Sequence, residues 1–283
     1  MTKFAIAGLQ LELNAGDNVE AICHEIRVLK TRFPWVQMAI FGELGAFGPN
    51  PRLAQEMPGP AEAAFAAVAR ETGLWLIPGS LYETLNDAVY NTTPVINPRG
   101  EIVARYRKMF PFLPYEKGVA PGTEFVTFDI DGVGRFGVSI CYDMHFPETT
   151  RAMACAGAEV ILHPTLTNTI DRDAELAIAR ANAAMNQLYF VDINCAGRLG
   201  YGRSIIAGPG GEVIHQAGPG REIIPAELDF DYVRRVRERG WQGLGQQLKS
   251  FRDGALALED YGSYKDSEFL KSLGALKTPG EEE

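Results

Sequence analysis

Cys141 stands at a position where a nucleophile can do covalent chemistry. It follows the apolar run 136–140 and precedes a helix expected from Phe146. A strand-to-helix turn of this kind presents a nucleophile much as a nucleophile elbow presents its serine. Neighbouring helix-terminal N–H groups raise the thiolate fraction and can stabilise an oxyanion. Taken alone, a single cysteine is more often a small buried hydrophobic residue.

Two charged residues follow other apolar runs. Glu43 comes directly after the run 38–41, and Lys108 closes the run 102–106. In α/β proteins the carboxyl ends of strands face the ligand, and a partly desolvated glutamate can act as a general base there. An ammonium among aromatic residues needs a carboxylate partner and can stabilise an oxyanion. Glu116, eight residues beyond Lys108, is a second candidate carboxylate. Each residue taken alone is more typical of a cap, a loop or the surface.

Alternating strands and helices must position these residues. The first eighty residues predict a β-α-β-α-β order, which indicates a sheet covered by helices. Further predicted strands lie at 90–96, 102–106, 125–130, 135–140, 159–163, 188–194 and 223–228, and further helices at 146–156, 174–187 and 231–240. No repeat or linker divides the chain. We therefore expect one α/β domain over residues 1–240 and a C-terminal arm, 241–283, that packs on the core or on a partner subunit.

Composition excludes several classes of function. The chain has 283 residues, 46% of them hydrophobic, and a net charge of −9. An acidic protein is disfavoured as a ligand of nucleic acid or of an anionic membrane. The cysteines and histidines lack metal-ligand spacing, so no metal site is predicted. The first residues do not resemble a signal peptide, and no apolar run reaches spanning length, so we expect a cytoplasmic protein with free thiols.

Three segments together resemble the nitrilase superfamily of carbon–nitrogen hydrolases. Phe41-Gly42-Glu43, Tyr106-Arg107-Lys108 and the longer segment 139–148 occur in the order and at the spacing typical of that family. Segments 179–194 and 202–211 resemble further family segments, and the likeness extends over about residues 3–230. The resemblance implies a four-layer α-β-β-α sandwich.

The same resemblance implies roles for individual residues. Glu43 matches the family's general base, Lys108 the residue that supports the oxyanion, and Cys141 the nucleophile. Glu116 matches a second glutamate that orients the substrate and the lysine, and the Tyr142 backbone N–H is expected to bind the oxyanion. Chemistry of this type uses a small amide and water and needs neither a metal nor a cofactor. The family is usually oligomeric, so a homodimer or higher homo-oligomer is expected.

The residues after the nucleophile bear on the substrate. Cys141-Tyr142-Asp143 is similar to the amidase and carbamoylase branches, whereas nitrilases commonly show Cys-Trp-Glu. Carbamoylases often carry arginines nearby to hold a substrate carboxylate; Met144 and His145 stand there in this chain. His145 can donate a hydrogen bond to a substrate instead.

Two positional candidates complete the predicted site. Phe47 follows the Glu43 loop, and Thr165 begins the segment 165–168, which follows the strand after the cysteine helix. Loops at strand ends commonly line α/β pockets. A further difference is Gly42, where family members commonly have proline; the backbone freedom of glycine predicts a looser turn.

The leading hypothesis is a hydrolase that converts a linear carboxamide to an acid and ammonia through a cysteine thioester. An N-carbamoyl amide hydrolase or a nitrilase is the alternative within the class. Two alternatives are not hydrolases. One is a catalytically silent binding protein, and the other is a thiol redox sensor in which Cys155 or Cys195 would approach Cys141.

Overall fold

The computed structural model describes residues 1–254 and 268–273. The strands are β1 Lys3–Gln10, β2 Glu12–Leu13, β3 Met38–Phe41, β4 Trp75–Ile77, β5 Leu81–Leu85, β6 Ala88–Ile96, β7 Ile102–Arg107, β8 Val126–Ile130, β9 Gly134–Val138, β10 Val160–Thr165, β11 Tyr189–Asn194, β12 Ala196–Gly197, β13 Ile205–Ala207, β14 Val213–Gln216 and β15 Glu222–Asp229. The α-helices are α1 Val19–Arg32, α2 Pro60–Thr72, α3 Pro147–Cys155, α4 Asp171–Asn186, α5 Phe230–Arg239, α6 Gln247–Asp253 and α7 Glu268–Ser272. Short 3-10 helices lie at Pro51–Leu53, Cys141–His145 and Trp241–Gly243.

Within these ranges the strands form two large sheets. One has the order β15-β1-β3-β4-β6-β5, with β7 also paired to β6. The other has the order β14-β13-β11-β10-β9-β8. The centre of each sheet is parallel: β1, β3 and β4 in the first, and β9, β10 and β11 in the second. The carboxyl ends of these central strands lead directly into the loops that carry Glu43 and Cys141.

The two sheets pack face to face, with helices on their outer sides. Phe4 and Ile6 of β1 join a core between the sheets, together with Val191 of β11. Ala7 and Leu9, the alternate residues of β1, pack towards α1 and α2. The second sheet buries its outer face against α3 and α4 in the same way. Strands buried on both faces have continuous apolar sequences, which explains the apolar runs. The four-layer α-β-β-α sandwich is therefore confirmed.

Strand β5 was not predicted from the sequence. It forms an antiparallel hairpin with β6 through the positive-φ residues Asn86 and Asp87, which adopt the backbone that tight hairpin turns require. The strand carries polar and charged residues among its apolar ones, so its pattern is weak. The omission matters, because β5 contributes Tyr82 to the cavity described below.

Gly42 has a packing role that differs from our interpretation. A Cβ built there would lie 2.6 Å from Cys195 Sγ and 2.8 Å from the Cys195 backbone nitrogen. The absence of a side chain lets the Glu43 loop lie directly against the end of β11. Glu43 N then donates to Thr165 O at 3.0 Å, and this bond ties the loop to the second sheet. Gly42 thus tightens the turn instead of loosening it.

Part of the C-terminal arm packs on the core. Leu248 of α6 contacts the helix-side core of the second sheet, and its backbone N–H donates to Gln187 Oε1 at 3.2 Å. Arg151 lies over the Phe251 ring at 4.9 Å. Residues 255–267 and 274–283 of the predicted arm lie outside the described residues. Contact of the arm with a partner subunit stays a prediction.

None of the helices described for this chain is long and apolar enough to cross a membrane.

Candidate active site

A lysine and two glutamates form a buried ionic cluster between the sheets. Lys108 Nζ lies 2.8 Å from Glu43 Oε1 and 2.6 Å from Glu116 Oε2. All three side chains are at least 95% buried. Burial of charged groups at this depth is stable only when they are paired and hydrogen-bonded, as they are here. The predicted carboxylate partner of Lys108 is therefore present twice.

Asn91 joins the two carboxylates and was not predicted. Its Nδ2 donates to Glu43 Oε1 and to Glu116 Oε1, both at 2.7 Å. The backbone N–H of Phe112 donates to Glu116 Oε2 at 2.7 Å. These bonds hold both carboxylates in fixed orientations around the ammonium. Asn91 lies on the predicted strand β6, but sequence pattern alone does not show which face of a strand meets the site.

Cys141 faces this cluster from the second sheet. It begins the 3-10 helix Cys141–His145 and has a φ of +46°, a conformation that residues other than glycine adopt only under constraint. The side chain is buried. Its Sγ lies 3.9 Å from Thr167 Oγ1 and 4.0 Å from Leu166 O, and the charge of the Glu43 carboxylate raises the pKa of its thiol. The strained turn aims the sulfur at the carboxylate of the opposite sheet.

His163 holds the strained turn through contacts on both sides of its ring. Its Nε2 lies 3.1 Å from Cys141 O, and its Nδ1 lies 2.7 Å from Ser139 Oγ. A carbonyl oxygen only accepts, so Nε2 carries the proton and Nδ1 accepts from the serine hydroxyl. Burial lowers the pKa of His163 to about 3, so the ring is neutral at physiological pH.

We expect His163 to make folding sensitive to acid. The folded-state pKa lies below the usual 6.5, so the unfolded chain binds the extra proton as the pH falls below that value. The wild-type free energy of unfolding should lose roughly 2 to 3 kcal/mol between pH 7 and pH 4.5 from this group. Urea unfolding of the wild type and of His163→Gln at both pH values measures the difference. An equal pH dependence in the two proteins would contradict this expectation.

Asp143 fixes the other side of the nucleophile turn. Its Oδ2 accepts from Ile140 N at 2.8 Å and from the Tyr106 hydroxyl at 2.7 Å, and its Oδ1 accepts from Phe110 N at 2.9 Å. Burial raises the pKa of Asp143 to about 6, although these hydrogen bonds oppose the shift. The carboxylate therefore connects the Cys141 turn to the segment that follows Lys108.

Replacing Asp143 with Asn should disturb this connection without changing its shape. An amide presents an NH₂ to at least one backbone N–H that now donates to a carboxylate oxygen. We expect a loss of about 1–3 kcal/mol in unfolding free energy and a lower kcat, because the Cys141 turn is released. Chemical denaturation and steady-state kinetics test both effects. Unchanged stability together with unchanged kcat would show that Asp143 does not hold the turn.

The pKa shifts of Cys141, Glu43 and Lys108 determine which of these groups are charged before a substrate binds. Burial raises the pKa of the Cys141 thiol well above its usual value, and the Glu43 charge raises it further. Burial also raises the pKa of Glu43, against the effect of Lys108. Burial alone would lower the pKa of Lys108, but Glu43, Cys141 and Glu116 outweigh it and keep the ammonium protonated. A protonated thiol beside a carboxylate of raised pKa is an arrangement suited to general-base activation.

A cavity of about 300 Å³ opens onto these groups. Glu43, Lys108, Glu116 and Cys141 all line it. Its other walls include Tyr82, Phe112, Tyr115, Leu166, Thr167 and Glu175. The volume suits a small molecule and lies at the low end of known ligand pockets.

The structure brings two further predicted residues to the cavity and leaves two outside. Tyr142 and His145 line it, and their rings lie 5.0 Å apart. Phe47 instead packs against the core between the first sheet and its helices. Thr165 is fully buried within β10 and donates to Asp192 Oδ1 at 2.6 Å. The prediction that Phe47 and Thr165 line the cavity was wrong, because both side chains pack into the interior of the protein.

Thr167, which lies in the predicted segment 165–168, lines the cavity, and Tyr82 and Glu175 line it but were not predicted. Thr167 Oγ1 donates to Glu175 Oε1 at 2.8 Å, and Arg172 Nη1 donates to Glu175 Oε2 at 3.0 Å. Arg172 and Glu175 are spaced i, i+3 on α4, which begins three residues before the predicted helix 174–187, so the predicted bounds left Arg172 outside. Within the described residues, no group of three or more histidine, cysteine or acidic side chains is arranged to hold a metal ion.

Comparison with known proteins agrees with this architecture. Residues 18–238 match the carbon–nitrogen hydrolase family model. The human omega-amidase NIT2 is 29% identical over 258 residues, which cover 84% of this chain and 93% of that protein. The crystal structure of Saccharomyces cerevisiae Nit3, a member of branch 10 of the nitrilase superfamily, has a TM-score of 0.78 at 27% identity and covers 84% of this chain and 94% of its own.

A second solved structure shares the fold at lower sequence identity. It is a mutant of the amidase from Nesterenkonia sp. AN1 in complex with butyramide, with a TM-score of 0.74 and 23% identity. The match covers 84% of this chain and 95% of that one. The family match spans most of the chain and includes Glu43, Lys108, Glu116 and Cys141. On this sequence and structural basis, the chain belongs to the carbon–nitrogen hydrolase family of the nitrilase superfamily.

Proposed function

We propose that the protein hydrolyses a small, uncharged carboxamide to a carboxylic acid and ammonia through a thioester on Cys141. One observation carries the proposal: the Cys141 thiol, the Glu43 carboxylate and the Lys108 ammonium meet at one cavity, with the ammonium 2.8 Å from the carboxylate. Relatives named omega-amidases support amide hydrolysis as the reaction.

In the first half of the proposed reaction, Glu43 takes the thiol proton as the sulfur attacks the amide carbon. The raised pKa of Cys141 makes this base necessary, because little thiolate exists at rest. The carbonyl oxygen becomes an oxyanion, which Lys108 and the Tyr142 backbone N–H stabilise. Glu43 then gives the proton to the departing nitrogen, the C–N bond breaks, and ammonia leaves the thioester.

In the second half, water replaces ammonia. Glu43, again a carboxylate, takes a proton from the water as its oxygen bonds to the thioester carbon. The second oxyanion collapses, the C–S bond breaks, and the thiolate recovers the proton from Glu43. The products are the carboxylic acid and the original thiol, so the cycle consumes only the amide and water. Glu116 and Asn91 keep Lys108 and Glu43 in place through both halves.

The charges around the cavity support an uncharged substrate. Among the described lining residues the carboxylates are Glu43, Glu116, Asp171 and Glu175, and Lys108 is the one lysine or arginine. Two carboxylates already hold Lys108, and His145 Nε2 lies 4.0 Å from Glu175. A substrate carboxylate would therefore meet negative groups without a free cation. N-carbamoyl amides and nitriles remain the alternative substrates in this class.

Two further proposals rest on sequence alone. We propose a cytoplasmic location, because the cysteines are expected to be free thiols and a reducing compartment keeps thiols free. We propose a homodimer or higher homo-oligomer from the resemblance to the family.

Ammonia release from a panel of carboxamides, N-carbamoyl compounds and nitriles tests the function. The panel includes butyramide and its analogue with a terminal carboxylate, glutaramate. We expect turnover of butyramide and little of glutaramate. Cys141→Ala should abolish turnover, whereas the matched control Cys155→Ala should keep it, because Cys155 is exposed and lies outside the cavity.

Different outcomes of this experiment separate the alternatives. Carbon dioxide release would identify a carbamoyl substrate, and turnover of nitriles alone would identify a nitrilase. Activity that survives Cys141→Ala would disprove the thioester mechanism. If no panel member reacts, intact-mass analysis after iodoacetamide treatment shows whether Cys141 is reactive; an unreactive thiol would contradict the proposed nucleophile.

A further inference from the structure

Tyr82 places a buried hydroxyl at the cavity with no hydrogen-bond partner. The residue is 3% exposed, lines the cavity, and its hydroxyl oxygen has no partner among the described residues. Its ring packs in a small cluster with Leu44 and Val119. Buried hydroxyls without a partner are rare, because each one lowers the stability of the folded protein. Because Tyr82 lines the cavity, a bound ligand can supply the partner that its hydroxyl lacks.

The sheet places Tyr82 beside the glutamates of the site. Tyr82 on β5 is the direct cross-strand neighbour of Asn91 on β6, so both side chains project from the same face. Asn91 bonds both Glu43 and Glu116. Burial raises the pKa of the Tyr82 hydroxyl, and the negative charges of Glu116 and Glu43 raise it further. The hydroxyl thus stays protonated and keeps free lone pairs.

The positions of the charged groups orient an amide in the cavity. The carbonyl oxygen belongs near Lys108, where its developing negative charge is stabilised. The amide nitrogen belongs on the carboxylate side, because Glu43 must protonate it as it leaves. Tyr82 lies opposite Asn91, whose amide nitrogen donates to both carboxylates. A carboxamide N–H can donate to the tyrosine oxygen, whereas the alkoxy oxygen of an ester has no hydrogen to donate.

We propose that the Tyr82 hydroxyl accepts a hydrogen bond from the substrate's amide nitrogen and so selects carboxamides over esters with the same acyl group. This inference rests on the proposed amidase function. Tyr82 is a specificity-determining residue in this view, and it takes no part in forming or breaking the thioester.

Tyr82→Phe tests the inference with a matched pair of substrates, butyramide and methyl butyrate. The change removes only the hydroxyl. We expect kcat/KM for the amide to fall by about tenfold or more, the value lost with one hydrogen bond, while kcat/KM for the ester stays the same. The melting temperature should stay the same or rise, because an unpaired buried polar atom is removed. Tyr201→Phe is the control, since Tyr201 is 52% exposed and is not among the residues that line the cavity.

The outcomes distinguish this inference from the proposed function. If wild-type protein releases no ammonia from any amide, the proposed function fails. If wild type hydrolyses both substrates and Tyr82→Phe slows them equally, or slows neither, the selectivity assigned to Tyr82 is overturned while the amidase function stands. A fall in melting temperature together with equal losses would show that the hydroxyl serves only the fold.

Discussion

Replacing Lys108 with Met is expected to lower kcat/KM for a carboxamide by about 100- to 1,000-fold, the effect of removing one donor to an oxyanion. The same change should destabilise the fold by about 3–5 kcal/mol, because it leaves two buried carboxylates without their cation. Lys108 lies 2.8 Å from Glu43 and 2.6 Å from Glu116, so its charge is the one that holds both acids in place. Kinetics and urea denaturation measure the two losses separately.

A double variant separates the structural part of this effect from the chemical part. Adding Glu116→Gln to Lys108→Met removes one of the two negative charges that repel each other once the ammonium is gone. We expect this to restore part of the lost unfolding free energy, because the remaining repulsion is smaller. Activity should stay low, since the ammonium that binds the oxyanion is still missing. Recovery of activity along with stability would show that Lys108 acts only through the fold.

Replacing Glu43 with Gln is the second change with a large expected effect. The amide keeps the size of the side chain and can still accept a hydrogen bond, but it cannot take a proton. Because the proposed reaction uses Glu43 as a base in both halves, turnover should fall by about 10²- to 10⁴-fold. Burial first and the Glu43 charge second raise the pKa of the Cys141 thiol, so loss of that charge should lower it.

Glu43→Gln should therefore have opposite effects on two measurements. Amide turnover should nearly disappear, while alkylation of Cys141 by iodoacetamide should be as fast as in wild type or faster. Glu148→Gln is the control, because Glu148 lies in the same segment as the nucleophile but is exposed. Turnover that survives Glu43→Gln would show that Glu43 is not the base of the reaction. Loss of alkylation would show that Glu43 mainly shapes the turn.

The order of apolar runs predicted an α/β fold and three candidate groups, and the resemblance to the nitrilase superfamily implied the four-layer sandwich and the roles of those groups. Glu43 and Cys141 follow the parallel strands β3 and β9, which are recognisable as apolar runs, whereas Lys108 follows β7, an antiparallel and partly exposed strand. Carboxyl ends of parallel strands lead to one edge of a sheet, so groups placed there are brought together by the fold itself. Strand β5 was missed for the complementary reason, since its mixed polar pattern carries a weak periodic signal.

The placement of the surrounding residues depended on three-dimensional packing. Asn91 and Tyr82 lie on neighbouring strands, and only the observed register places them opposite each other and facing the site. Phe47 and Thr165 lie near site residues along the chain, but their side chains pack into the interior. Successive side chains on a strand alternate between faces, so a position along the chain does not fix which side faces a cavity. The chain order thus specified the acid, the lysine and the thiol, whereas the pairing of two sheets fixed their distances, their protonation and the shape of the space they share.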